Sequence, residues 1–237
     1  MKIGMSYLLC NDGMHFLIPN ILYHCRLVDR IVCKAHRPCK MLEMQLLELH
    51  KRIPSFFYLG EIEEEFSVAN QTKWYNGMIA RLIEERMDWA INVDEDEFYY
   101  GDLRKCVEGA ETSGCNLVYG GGHCFYGTPY DNDDCNPVRR FFYRDPDGVK
   151  YEYSKPIFKL KNFSTTTDGN HFIQFNGEEN RVIYGKFSIF HYTYIPKYRP
   201  TGLYGRSKIW SEEEVKEKGL VKDPRMAAIF DSLGIKV

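Results

Sequence analysis

Four acidic residues in a row, Asp94, Glu95, Asp96 and Glu97, follow an almost wholly apolar stretch, Trp89 to Val93. Asp94 and Asp96 stand one residue apart after what reads as a buried strand, so their carboxylate oxygens can converge on one hard cation. A magnesium or manganese ion held in this way can bridge a diphosphate and neutralise negative charge as it develops on a leaving phosphate oxygen. An isolated pair of this kind also occurs as a solvated acidic turn, so its surroundings must decide.

Several other side chains could serve the same chemistry. Lys155, Lys159, Arg139 and Arg140 offer cations for phosphate oxygens, lysine as a point charge and arginine as a fork. Neighbouring residues on a strand face opposite ways, so at most one of Arg139 and Arg140 points inward. Asp131, Asp133 and Asp134, with Glu152 and Asp168, are carboxylates that could take a proton from an attacking hydroxyl, although the triplet also fits a solvated loop. His171 sits on a polar Gly-Asn turn, where it either contacts substrate or is an exposed loop histidine. Gly120 to Gly122 lack the following lysine and Ser/Thr of a P-loop and read as a tight turn or a close approach. Tyr99, Tyr100, Tyr126 and Tyr130 could stack on a sugar or base. Cys33, His36 and Cys39, even with His24 and Cys25, match no closed zinc site because the run lacks a clear fourth ligand.

The elements that must position these residues alternate. Lys2 to Leu9, Arg30 to Cys33, Phe56 to Leu59 and Trp89 to Val93 read as strands. Pro19 to Leu27, Met41 to His50 and Val68 to Arg86 read as the helices between them. Such alternation builds a parallel sheet with helices on its faces, and the acidic run then falls at the C-terminal end of a strand, where open α/β sheets place their ligands. After a short helix at Leu103 to Gly109 the texture changes. Asn116 to Tyr119, Val138 to Tyr143, Pro156 to Leu160, Arg181 to Tyr184 and Phe187 to Tyr192 read as strands of a more antiparallel half with substrate-facing loops. A capping box of Ser211 with Glu214, then Asp223-Pro224 and Gly234, predicts two closing helices.

The totals narrow the class. A chain of 237 residues with 44% hydrophobic and 27% charged content fits one large α/β domain. A net charge of -2 argues against general attraction to nucleic acid. No stretch approaches the roughly 18 apolar residues needed to span a bilayer, so no transmembrane segment is expected. The apolar run from Ile3 to Cys10 is short and lacks a small-residue cleavage site, so it reads as a core strand rather than a signal peptide, and a cytoplasmic location is expected. Eight cysteines scattered through strand-like and helix-like segments are expected as reduced thiols.

The segment from Asp88 to Phe98, D-W-A-I-N-V-D-E-D-E-F, resembles the W-x-x-x-x-D-x-D-E-F signature of a glycosyltransferase family 2-like group. Further pieces follow in the same order: Asn11-Asp12 after the first strand, a helix containing Asn76 and Arg81, Lys155-Pro156-Ile157, Gly169-Asn170-His171 and His191-Tyr192. The resemblance covers roughly residues 1–208 and leaves 209–237 as a helical appendage. It implies a GT-A-like fold, an α/β mixed sheet flanked by helices. It also implies manganese- or magnesium-dependent transfer, with inversion, from a nucleoside-diphosphate sugar to a glycan or other hydroxyl acceptor. Asp94, Asp96 and Glu97 match the catalytic element, with Glu97 orienting the loop. Asp94, Asp96 and His191 match the metal shell, and an imidazole ligand would favour manganese. For His191 the alternative is a packed strand end between Phe190 and Tyr192. Asn11, Asp12, Arg81, Lys155 and His171 match nucleotide or substrate contacts. The turn from Cys33 to Lys40 departs from the group, having Lys34, His36, Arg37 and Pro38 where an aspartate- and serine-rich turn meets the nucleoside. Two other functions use the same residues: metal-dependent nucleotidyl or phosphoryl transfer, and a catalytically silent carbohydrate- or partner-binding domain.

Overall fold

The computed structural model describes residues 1–10, 14–126, 143–144, 155–194, 212–217, 219 and 221–232. Its first half is laid down as alternating strands and helices: β1 (Ile3–Cys10), α1 (Met14–His24), β2 (Arg30–His36), α2 (Lys40–Arg52), β3 (Phe56–Ile62), α3 (Val68–Glu84) and β4 (Trp89–Asp94). There follow β5 (Glu97–Gly101), α4 (Leu103–Thr112), β6 (Leu117–Tyr126), β7 (Tyr143–Arg144), β8 (Ile157–Lys159), β9 (Phe163–Thr167), β10 (Phe172–Phe175) and β11 (Val182–Tyr194). The last elements are α5 (Glu212–Glu217), β12 (Val221–Lys222) and α6 (Arg225–Ser232).

Ten strands share one mixed sheet, ordered β12-β7-β6-β8-β4-β1-β2-β3, with β11 paired to both β6 and β5. The parallel part is β4-β1-β2-β3; β8 runs antiparallel to β4 and to β6, while β11 is parallel to β6 and antiparallel to β5. This is the expected class, an α/β mixed sheet flanked by helices. Alternation along the strands explains the two cores. Met5, Tyr7, Ile91 and Val93 face one layer with Leu17, Ile21, Leu42 and Leu46 of α1 and α2. Leu8, Val32 and Ala90 face the other, against Trp74, Tyr75, Met78 and Leu82 of α3.

Several boundaries differ from the sequence reading for physical reasons. Pro19 lies inside α1 rather than in its first turn, because the helix begins at Met14. The two strands read at 181–184 and 187–192 are one, β11, because Gly185 interrupts the pattern without interrupting the strand: a Cβ there would meet Val118 Cγ1 at 2.8 Å and Cys106 Sγ at 2.9 Å. Gly120 to Gly122 are likewise not a turn. They lie within β6, where a Cβ on Gly120 would meet the Phe187 ring at 2.5 Å. The hairpin β9–β10 was not expected; it forms its own two-stranded sheet. The strand read at 138–143 lies outside the described residues except at Tyr143. Among the described residues Cys10, Cys25, Cys33, Cys39, Cys106 and Cys115 are in no disulfide. Among the described residues no helix is long and apolar enough to cross a membrane.

The stretch after residue 208 contains α5 and α6, and it also supplies β12, which pairs with β7 as an edge of the main sheet. The Asp223 carboxylate anchors it, accepting from Arg144 Nε at 2.6 Å and from Arg225 Nε at 2.8 Å, while the Arg225 guanidinium lies 5.2 Å from the Tyr100 ring centroid and 4.9 Å from that of Phe190. Burial alone would raise the Asp223 carboxyl, but the hydrogen bonds from Arg225 and Arg144 pull it down to about 2. A depressed carboxylate stabilises the folded chain above its unfolded value, about 3.9, and that stabilisation is lost as pH falls through the folded value. Asp223→Asn should therefore lower the melting temperature at pH 7 by roughly 2–4 °C, for a loss on the order of 1 kcal/mol. The gap from the parent should close between about pH 4 and pH 2. An equal melting temperature at pH 7 would mean that the anchor contributes nothing.

Candidate functional site

The acidic run emerges where β4 ends and turns back into β5, at the C-terminal edge of the parallel strands. Asp94 continues the face of β4 that looks toward α3, and there its carboxylate is heavily engaged. Its Oδ1 accepts from Tyr75 Oη at 2.6 Å and from Asn170 Nδ2 at 3.3 Å, and its Oδ2 lies 2.6 Å from Lys155 Nζ. Lys155 is the inner member of this group. Its side chain is 1% exposed, and its ammonium also meets Glu97 Oε2 at 2.6 Å. Glu97 Oε2 in turn accepts the Asp94 backbone N–H at 2.9 Å, closing the turn on itself.

One ammonium compensates two carboxylates incompletely, Asp94 partly exposed at 24% and Glu97 buried, and the two respond differently. Burial would raise Asp94, but the charge and hydrogen bond of Lys155 and the Tyr75 hydroxyl hold it below its ordinary value. Burial raises Glu97 and outweighs Lys155, with the nearby Asp94 charge adding to the rise. For Lys155 burial opposes the ammonium, yet Asp94 and Glu97 more than offset it and raise its pKa.

Asp96 points elsewhere. Its side chain is 4% exposed and its Oδ1 stands 3.3 Å from Nε2 of His191, which lies opposite Glu97 in the β5–β11 pairing. His171 sits at the turn of the β9–β10 hairpin, half-buried, within electrostatic reach of Lys155, Asp94 and His191. Burial and then the Lys155 charge lower it to about 4, so the imidazole is neutral at pH 7. The hairpin is held over the site by α3: Asn76 Nδ2 donates to Thr165 Oγ1 at 2.7 Å, the Thr166 N–H donates to Asn76 Oδ1 at 2.9 Å, and the Gly169 N–H donates to Thr72 Oγ1 at 3.0 Å. Asn170 is 1% exposed, and its Oδ1 is buried with no hydrogen-bond partner among the described residues.

The structure thus brings Asp94, Asp96, Glu97, Lys155, His171 and His191 into one neighbourhood. It does not bring Arg81 there. The Arg81 guanidinium meets Glu84 at 3.1 Å and also Glu85, and lies 4.6 Å from the Phe57 ring centroid. That places it beside the starts of β2 and β3, the opposite edge of the sheet. Helix α3 runs antiparallel to the strands, so its last turn cannot reach their C-terminal ends. Asn11, Asp12, Arg139, Arg140, Asp131, Asp133, Asp134, Glu152 and Tyr130 lie outside the described residues, as does the Tyr126 side chain. Lys159 pairs instead with Glu111 at 2.7 Å. Tyr75 and Asn170 were missed. Tyr75 is hidden in an ordinary helical apolar stripe, whereas Asn170 was visible as the middle of a polar Gly-Asn-His turn.

The donor sets differ in their fitness for a cation. Adjacent ligands of an octahedral ion with bonds of about 2.1 Å stand about 3 Å apart. The Asp96 carboxylate and the His191 imidazole, at 3.3 Å, fit two positions of such a shell. Asp94 does not fit: Lys155 already supplies its counter-charge and would repel a dication. Among the described residues no group of three or more His, Cys, Asp or Glu is gathered about one point suited to a metal.

Likenesses to known proteins are distant. No family model and no curated protein matches the chain. Among solved structures it is similar to HddC from Yersinia pseudotuberculosis, at 14% identity over 81% of this chain and 93% of that one, with a TM-score of 0.47. A mannose-1-phosphate geranyltransferase from Thermus thermophilus is similar at 11% identity over 80% and 76%, with a TM-score of 0.40. A protein described as a glucose-1-phosphate thymidylyltransferase, from Bacillus anthracis, is similar at 10% over 68% and 72%, with a TM-score of 0.41. Below a TM-score of 0.5 such likenesses assign neither substrate nor reaction, and the chain's own geometry has to carry the reading.

Proposed function

We propose that this chain transfers a sugar from a nucleoside-diphosphate sugar to a glycan or other hydroxyl acceptor, with manganese, or magnesium in its place, held by Asp96 and His191. The observation that carries the reading is the pairing of a buried carboxylate with a half-exposed imidazole at the C-terminal edge of a parallel sheet, beside a carboxylate pair that Lys155 partly neutralises. When bound, a divalent cation supplies positive charge to the diphosphate as it leaves.

The remaining residues divide the work around that pair. Asp94, Glu97 and Lys155 fix the turn that carries Asp96, so Lys155 acts on substrate through the turn rather than as a surface cation reaching for phosphate. Asn170 Oδ1, a buried acceptor with no donor among the described residues, suits a sugar hydroxyl arriving at the hairpin, or an ordered water. The neutral His171 imidazole offers a second polar contact on the same turn.

The test is a thermal-shift panel of UDP-, GDP-, CMP- and dTDP-sugars, each with and without manganese. A ligand at about 100 times its dissociation constant adds roughly 2.7 kcal/mol. A manganese-dependent shift with one nucleotide class is expected, and that pair should then release nucleoside diphosphate in the presence of a hydroxyl acceptor. Pyrophosphate release from a nucleoside triphosphate and a sugar phosphate would replace this reading with nucleotidyl transfer, and a flat panel would favour a silent binding domain.

A further inference from the structure

Among the described residues β5 has a strand partner on one edge only, β11, so backbone groups on its other edge need partners from elsewhere. Side chains of α1 supply them. Asn20 Nδ2 donates to the carbonyls of Glu95, at 3.2 Å, and Glu97, at 2.8 Å. The Tyr99 N–H donates to His24 Nε2 at 3.3 Å, and Tyr23 Oη donates to the Tyr99 carbonyl at 2.8 Å. Because His24 Nε2 accepts, the ring proton sits on Nδ1, which donates to Asn20 Oδ1 at 2.8 Å and to the Asn20 carbonyl at 3.0 Å. Asn20 and His24 are both 0% exposed, and burial lowers the imidazole to about 3, so it stays a neutral acceptor.

We propose that Asn20 and His24 are positioning residues that set the conformation of the acidic turn, and through it the direction of Asp96, without touching a carboxylate. The inference rests on the reading of Asp96 with His191 as the cation site. The Asn20 amide grips the turn on both sides of Asp96, at the carbonyls of Glu95 and Glu97, and His24 holds both Asn20 and the β5 backbone. Two polar side chains buried in an otherwise apolar layer are costly unless their hydrogen bonds are made, and here those bonds go to the turn and to β5. An apolar residue at either position would leave buried carbonyls or an amide unpaired. A displacement of about 1 Å in a metal-binding or reacting group can cost on the order of 100-fold in function.

The test uses the full chain and manganese ion alone, with bound and free metal read by electron paramagnetic resonance, alongside hydrogen exchange across Asp94 to Gly101. Asn20→Ala and His24→Leu should each weaken manganese binding about tenfold or more and speed exchange in that segment, while exchange in β1 and β2 stays at the parent rate. His24→Gln, which keeps an acceptor near the place of Nε2, should recover binding to within about threefold, a rescue that a purely space-filling role for His24 would not give. If either truncation fails to fold, Asn20→Ser, too short to span both carbonyls, is judged by the same criteria. A parent that binds no manganese overturns the cation site and this inference with it. A parent that binds, with variants that bind equally well, overturns this inference alone.

Discussion

Lys155→Met should be among the most destabilising single changes in the protein, costing about 3–5 kcal/mol out of a total that for domains is about 5–15 kcal/mol. The ammonium is buried and lies 2.6 Å from a carboxylate oxygen of each of Asp94 and Glu97. Without it two acidic groups remain inside one tight turn with no counter-charge, and each must either repel the other or take a proton on folding. The pH dependence should move into the neutral range accordingly. In the parent, Lys155 has a raised pKa, so its contribution is complete below the ordinary lysine value and is lost only as pH rises through the folded value. In the variant the carboxylates gain protons on folding, so stability should improve as pH is lowered from 7 towards about 5. Urea unfolding at both pH values reads this directly, and Glu97→Gln added to Lys155→Met should restore part of the loss. A cost under about 1 kcal/mol at pH 7 would show that Lys155 is not the counter-ion of the turn.

That the sequence reading took Lys155 for a phosphate ligand shows what one-dimensional pattern carries and what it leaves out. The strand at Trp89–Asp94 was legible because an unbroken apolar run bounded by charge has few other meanings, and its end located the acidic turn at the ligand-binding edge. The partner of a charge is a different matter. Lys155 is 61 residues from Asp94, and nothing local distinguishes a lysine aimed at substrate from one aimed at the chain's own carboxylates. The same limit hid the hairpin β9–β10. Phe163-Ser164-Thr165-Thr166-Thr167 followed by Asp168-Gly169 is polar enough to read as loop, and the strand pairing is supported by Asn76 and Thr72, which reach it from α3. Strand β5 was absorbed into the acidic run because its partner, β11, lies far along the chain. Arg81 is a different kind of error, since helix direction was available in the sequence. A helix that delivers the chain to the start of β4 must end at the wrong edge of the sheet for its last turn to meet a ligand there.

The separation of Asp94 from Asp96 leads to the sharpest functional prediction. Two aspartates of a D-x-D are easily treated as equivalent ligands, but here one is spent on Lys155, Tyr75 and Asn170 while the other faces His191. Asp96→Asn removes a ligand charge with little change of shape. On the proposed function, it should lower the manganese-dependent transfer rate by about 100- to 1,000-fold, the scale of losing one preorganised electrostatic contact at a developing charge. The manganese requirement should shift upward with it. Asp94→Asn leaves Lys155 paired with Glu97 one to one, so the variant should fold, and its manganese dissociation constant should stay within about threefold of the parent even if turnover falls through a looser turn. Metal titrations of the two variants, read by electron paramagnetic resonance and by initial rates, separate these outcomes. Equal weakening of manganese binding by both substitutions would mean that Asp94 turns from Lys155 to the metal when the metal binds. Unchanged binding and turnover in Asp96→Asn would remove the cation from this turn altogether, leaving Asp94, Glu97 and Lys155 as a structural cluster under a site whose chemistry lies elsewhere.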